Sequence, residues 1–121
     1  MLTGRDSESN VSYYVFNRCN INTASGVSPR VGSSYLGRPW RSYSRVVFQN
    51  TYMSAIINSA GWDIWASSSP NTAYVYYREY GSYGPGSSGT RAGFSGKLTA
   101  AVPIAAILGN HYTSWVDTSY L

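Results

Sequence analysis

Apolar residues come in short runs that alternate with polar ones, cut by clusters of Gly, Ser, Asn and Pro. Helical periodicity is nearly absent. Tyr13 to Ile21 reads as one strand or two, with Tyr14, Phe16, Cys19 and Ile21 as inward positions. Ser25 to Ser34 reads as a loop. Arg45 to Gln49 carries Val46, Val47 and Phe48, apolar on both faces as buried parallel strands are. Ala55 to Asn58 is a further short strand candidate. Ala73 to Tyr80 is the longest, with Tyr74, Tyr76 and Tyr80 on one face and Val75 and Tyr77 on the other. Gly81 to Gly96, dense in Gly and Ser, predicts a loop. Pro103 at a first helical position and Gly109 just past the end bracket one short helix.

The strong strands recur at irregular intervals of roughly 25–30 residues, too long for plain hairpins. That spacing fits a solenoid whose rungs carry loops of different length. Pattern alone leaves a β-sandwich open beside it.

Composition narrows the class. Only 12% of the 121 residues are charged while 16% are aromatic, the reverse of a disordered chain. The formal charge of +4 rests on eight arginines and one lysine, with Arg38, Arg41 and Arg45 close together. Such a chain suits a polyanion: acidic polysaccharide, nucleic acid or an anionic membrane. Neither an RNP-like motif nor a basic-aromatic repeat accompanies the twelve tyrosines, so nucleic acid is set aside. Leu98 to Leu108 is too short to cross a bilayer and contains Pro103. Met1 to Asn10 lacks the apolar core of a signal peptide.

The remaining chemistry-bearing residues take plain readings. Cys19 is the single cysteine, which excludes an internal disulfide and a Cys-based zinc site; it reads as a small buried hydrophobe. His111 has no partner at a telling spacing, and no metal site is expected. Asp6 and Glu8 read as solvated, and Met53 as core filling. Gly81 to Gly96 lacks the pattern of a phosphate-binding loop. Asn10-Val11-Ser12 matches a glycosylation acceptor, a pattern that a chain this rich in Ser and Asn contains by chance.

The most informative stretch is Leu36-Gly37-Arg38-Pro39-Trp40 with Tyr43-Ser44-Arg45. Gly37 and Pro39 fix the backbone around Arg38, and a rigidly held guanidinium suits bidentate binding of a carboxylate. Trp40 offers a flat face for a sugar ring or a base. A salt-bridged arginine beside a core tryptophan is the alternative that spacing leaves open.

This stretch resembles the C-terminal signature of the pectin methylesterases. Gly4-Arg5 followed by Tyr14-Val15-Phe16-Asn17 resembles the preceding rung in that family. Ala60-Gly61-Trp62 with Trp65 resembles the following segment. Glu79-Tyr80, Gly84-Pro85-Gly86 and Gly89-Thr90-Arg91 are similar to its closing strand and loop, and Trp115-Val116-Asp117 to the fungal ending. The resemblance covers practically the whole chain in the family's order.

The resemblance implies an all-β fold, a right-handed parallel β-helix. Residues 1–96 would form C-terminal rungs and loops, and 97–121 a loop-rich closing tail with the short helix. It implies hydrolysis of methyl esters of polygalacturonate, without metal or cofactor, by a secreted extracellular enzyme that is monomeric at full length. One aspartate attacks the ester carbonyl; another protonates the departing methanol and then activates water. Glutamines stabilise the oxyanion. Arg38 matches the arginine that orients the nucleophile, Trp40 a cleft aromatic and Trp62 a second one.

Both aspartates belong to family segments upstream of anything matching Gly4-Arg5. Neither Asp6, Asp63 nor Asp117 sits in an Asp-Phe-(Ile/Val)-Phe-Gly setting, and Gln49 is the only glutamine. The chain alone is therefore expected to be inactive. A non-catalytic binder of anionic polysaccharide acting through Arg38, Arg41, Trp40 and Trp62 is the second reading, and a truncated product without function the third. An open rung at the cut end predicts marginal stability and self-association.

Overall fold

Among the described residues, every pairing between strands is parallel. The computed structural model describes residues 2–121; Met1, the start of the polar opening stretch, lies outside them. Eight strands occur in order: β1 (Leu2–Thr3), β2 (Tyr14–Asn17), β3 (Asn20–Ile21), β4 (Arg38–Pro39), β5 (Arg45–Gln49), β6 (Tyr52–Met53), β7 (Tyr76–Tyr80) and β8 (Ser95–Lys97). One helix, α1 (Ile104–Leu108), follows.

The strands stack into three sheets. The largest runs β2-β5-β7-β8, with β1-β4 and β3-β6 beside it. Single bridges extend the two smaller ones, from Gly37 to Trp62 and from Tyr52 to Tyr83. Each circuit of the chain thus lays its strands directly on those of the circuit before. This is a parallel β-helix.

Register decides what faces inward. Tyr14, Val46, Tyr77 and Ser95 occupy one column, and Phe16, Phe48, Glu79 and Lys97 another. Aromatic rings stack along the interior: Phe16 on Phe48 at 4.6 Å, Phe48 near Trp62 at 5.8 Å, and Trp62 flat on Tyr77 at 4.1 Å. Each such contact adds about 0.5–1.5 kcal/mol beyond the area it buries. Leu36, Met53 and Ile57 complete the core.

A single left-handed residue closes three of the four strands of the large sheet. Arg18 follows β2 at φ 54°, Asn50 follows β5 at φ 50°, and Gly81 follows β7 at φ 60°. This conformation turns the chain sharply into the next short strand, and Asn and Gly adopt it most readily. The stacked corners are tied by Arg18 N–H to Gln49 O at 3.1 Å and Asn50 N–H to Tyr80 O at 2.8 Å.

A charge pair sits inside the last full rung. Glu79 and Arg91 are 7% and 10% exposed, with Arg91 Nε 2.9 Å from Oε2 and Nη2 3.0 Å from Oε1. Arg91 also donates to the carbonyls of Asn58, Ser59 and Gly86. One guanidinium thereby joins a strand to two loops. The Gly86 loop approaches so closely that a Cβ on Gly86 would stand 2.1 Å from Ser54 O.

Several expectations hold. β5 has the predicted bounds, Met53 is fully buried, and the helix lies between Pro103, at its N-cap, and Gly109. Others change. Ala55 and Ile56 form a turn, with Ile57 bridging Ser34 rather than heading a strand. β7 begins at Tyr76 because Ala73 and Tyr74 turn. The Gly81–Gly96 segment ends in a strand, since Gly96 pairs with Arg78. Tyr14 stands in an inward column yet is 49% exposed, because β2 is the edge of its sheet. Cys19 is half-buried at that same edge, its thiol donating to Asn17 O, rather than enclosed. Among the described residues no helix is long and apolar enough to cross a membrane.

The buried pair generates a stability prediction. Glu79→Gln leaves the Arg91 charge uncompensated and is expected to lower unfolding free energy by about 3 kcal/mol or more. Arg91→Lys is expected to rescue little, since one ammonium cannot reach both carboxylate oxygens and three carbonyls. Urea midpoints within error of the parent for both variants would contradict this.

Candidate functional site

The stretch around Arg38 is held from both sides. Leu36 is buried, and its N–H donates to Gly61 O at 2.7 Å; Asp63 N–H donates to Gly37 O at 3.0 Å. β4 then pairs with β1, matching Arg38 to Leu2 and Pro39 to Thr3. Pro39 is fully buried, so its neighbours Arg38 and Trp40 turn outward, as alternation along an extended chain requires.

Arg38 Nη2 lies 3.0 Å from Asp63 Oδ2, with the two side chains 42% and 32% exposed. Asp63 cannot swing far: Oδ1 accepts the Ile64 N–H at 2.9 Å while its own N–H is tied to Gly37. Trp40 is 55% exposed and stacks on Trp65 at 6.3 Å with 17° between the rings. The carbonyls of Pro39 and Trp40 both accept from Asn71 Nδ2, fixing this corner. Arg41 pairs with Asp6 at 2.9 Å on the open surface, where a shallow polar pocket includes Trp40, Tyr43 and Asn71.

This surface offers two guanidinium groups and an aromatic pair. Each guanidinium faces a carboxylate of this same chain, Arg38 that of Asp63 and Arg41 that of Asp6. Asp6 and Asp63 are engaged by arginines, and Glu79 is sealed with Arg91. Asp117 accepts from the hydroxyl and the N–H of Ser119, which hold its carboxyl below the usual value, and it caps a turn of the tail. Among the described residues no group of three His, Cys, Asp or Glu side chains is placed to hold a metal ion. A separate groove lies between β2 and the tail, lined by Val15, Phe16, Cys19, Ile104, Ile107 and Leu108. Its lining is mainly apolar, with Arg18 and Gln49 as polar members and no Asp or Glu side chain.

The pectinesterase family model matches residues 2–103. The chain belongs to the pectinesterase family. A pectinesterase of Aspergillus aculeatus is 54% identical over 117 residues, which are 97% of this chain and 35% of that protein. One from Aspergillus niger is 48% identical over 118 residues, 98% of this chain and 36% of its own length. Among solved structures, the deglycosylated pectin methylesterase of Aspergillus niger superposes with a TM-score of 0.82 at 38% identity, over 97% of this chain and 38% of that one. The pectin methylesterase from carrot gives 0.74 at 26%, over 99% of this chain and 40% of its own. The chain thus spans about a third of the length of the curated pectinesterases it matches.

With the family in hand, the site residues sort by position. Arg38 and Trp40 share one surface with Arg41. Trp62 does not: it is 2% exposed and stacked on Tyr77, so neither face of its ring is open to a sugar. The bridge to Gly37 sets its register and sends the ring inward. Trp65, three residues on, is the ring that stands beside Trp40. Nothing in the sequence ranked these two tryptophans; their depth follows from pairing.

The two roles separate by experiment. Trp62→Ala is expected to cost about 3–5 kcal/mol of stability, whereas Trp40→Ala stays within about 0.5 kcal/mol of the parent. Denaturant unfolding of both variants checks this, and equal losses would contradict the placement of Trp62 in the core.

Proposed function

We propose that the chain is the C-terminal part of a single-domain pectin methylesterase, which removes methyl esters from polygalacturonate. Residues 1–96 contribute its last rungs and 97–121 its closing tail. The supporting observation is a combination: a family match over nearly the whole chain, covering about a third of each relative. In this reading Arg38 orients the nucleophilic aspartate, and Trp40 with Trp65 takes the face of a galacturonate ring. The two aspartates and the oxyanion-binding glutamines belong to the upstream rungs that the resemblance implies. The enzyme works outside the cell as a monomer on methyl-esterified homogalacturonan, with no cofactor, nucleic acid or membrane partner.

Two features favour upstream rungs. β1, β2 and β3 each pair on one side only, and the inward-column Tyr14 stays half exposed for want of a layer above it. An arginine that positions a carboxylate needs that carboxylate. Here Arg38 meets Asp63, which its own backbone and the Ile64 N–H hold in place.

A polysaccharide-binding role without catalysis is the second reading. The surface position of Arg38, Trp40, Trp65 and Arg41 favours it for the chain taken alone. Both readings predict that the isolated chain releases no methanol from methyl-esterified pectin. Methanol release that survives repurification and is lost in Arg38→Ala would sink that expectation. Retardation of the chain in gels containing polygalacturonate, weakened in Trp40→Ala, is the binding result expected.

A further inference from the structure

Asn10-Val11-Ser12 is the only Asn-x-Ser/Thr triplet in the chain. It lies in the loop between β1 and β2, where the backbone has left one strand and not entered the next. As a pattern it means little; three features of its surroundings make it more. All three residues are exposed, Val11 to 85%. An acceptor peptide must be gripped on both sides of the asparagine, and no strand pairing holds residues 4–13 back.

The second feature is the orientation of the amide. Asn10 Oδ1 accepts the Ser12 N–H at 2.9 Å, an Asx-turn that spans the triplet itself. Only the carbonyl oxygen can accept that hydrogen bond, so the reactive Nδ2 is the other atom, and among the described residues it donates to no protein group. The third is a clamp behind the loop. Arg5, 5% exposed, donates to the carbonyls of Glu8 and Asn10 and, at 3.2 Å, to that of Tyr43 in the next rung. Its guanidinium holds the loop by the backbone from the inner side, and the asparagine side chain is left to the solvent.

We propose that Asn10 is an N-glycosylation site that takes its glycan from a polyprenyl-diphosphate-linked oligosaccharide. The inference rests on the secretory reading above. Nδ2 attacks the anomeric carbon of the donor's first N-acetylglucosamine. A C–N bond forms as the C–O bond to the diphosphate breaks, the polyprenyl diphosphate leaves with the electron pair, and Nδ2 gives one proton to a base of the transferase. The Ser12 hydroxyl is the acceptor feature the transferase reads. The glycan projects from the clamped loop and leaves the core untouched.

The test is expression of the chain in yeast behind a secretion leader, with the cell membranes and the medium both collected. The peptide containing Asn10 is weighed before and after treatment with peptide N-glycosidase. The expected result is a glycan that the glycosidase removes, absent in Asn10→Gln and in Ser12→Ala and retained in Ser12→Thr. Modification accompanies entry into the lumen, so the readout holds whether or not a variant folds. A leader-processed chain with a bare Asn10, or a glycan that persists in Asn10→Gln, overturns the proposal. Locating the native gene product is a separate arm: a protein kept inside its own cells sinks the secretory reading, while a glycan in the first arm still supports Asn10 as an acceptor.

Discussion

Parallel stacking of one circuit on the next is the constraint from which the rest of this structure follows. A strand in such a stack satisfies its backbone groups only through the circuits above and below. β5 has both neighbours, and Val46, Val47, Phe48 and Gln49 are all buried within it. β2 has one, and Tyr14 and Cys19 stay partly open although their positions suit a core. The same rule places the functional surface. Arg38 faces out because Pro39 faces in, and both are set by the pairing of β4 with β1 and by the Gly37–Trp62 bridge.

Rungs of this kind also explain an ion pair inside the stack. Glu79 shares a column with Phe16 and Phe48, so alternation alone points its carboxylate inward. Arg91 meets it there and carries the connection on to the carbonyls around Gly61, next to the segment that bears Trp62 and Asp63. Bringing two charges out of water is costly unless every donor and acceptor is matched, and here the guanidinium is shared among two carboxylate oxygens and three carbonyls. The pair serves as a tie between the closing rung and the loops behind the candidate site.

Much of the architecture was legible in the residues because local chemistry and the fold agree there. β5 is announced by three apolar residues in a row, and the helix by Pro103 and Gly109. Asn50 and Gly81 are natural left-handed corners; Arg18, which adopts the same φ, is not, and only its place in the stack accounts for it. The two-residue strands β1, β3, β4 and β6 are too short for a period to show. The depth of Trp62 against Trp40, and the inward turn of Glu79, depend on partners many residues away. Resemblance supplied the family and matched Trp62 to a second cleft aromatic, whereas its ring lies in the core, since a signature lists residues without saying which way each one faces.

The account's central claim is that this chain brings Arg38 to a catalytic centre whose carboxylates lie on other rungs. Grafting it in place of the matching third of the Aspergillus aculeatus relative, to which it is 54% identical, tests this directly. Methanol release from methyl-esterified pectin is the measurement. The account predicts an active hybrid in which Arg38→Ala lowers turnover on the order of a hundredfold with little change in melting. A folded hybrid that is inactive, or one indifferent to Arg38→Ala, would contradict it.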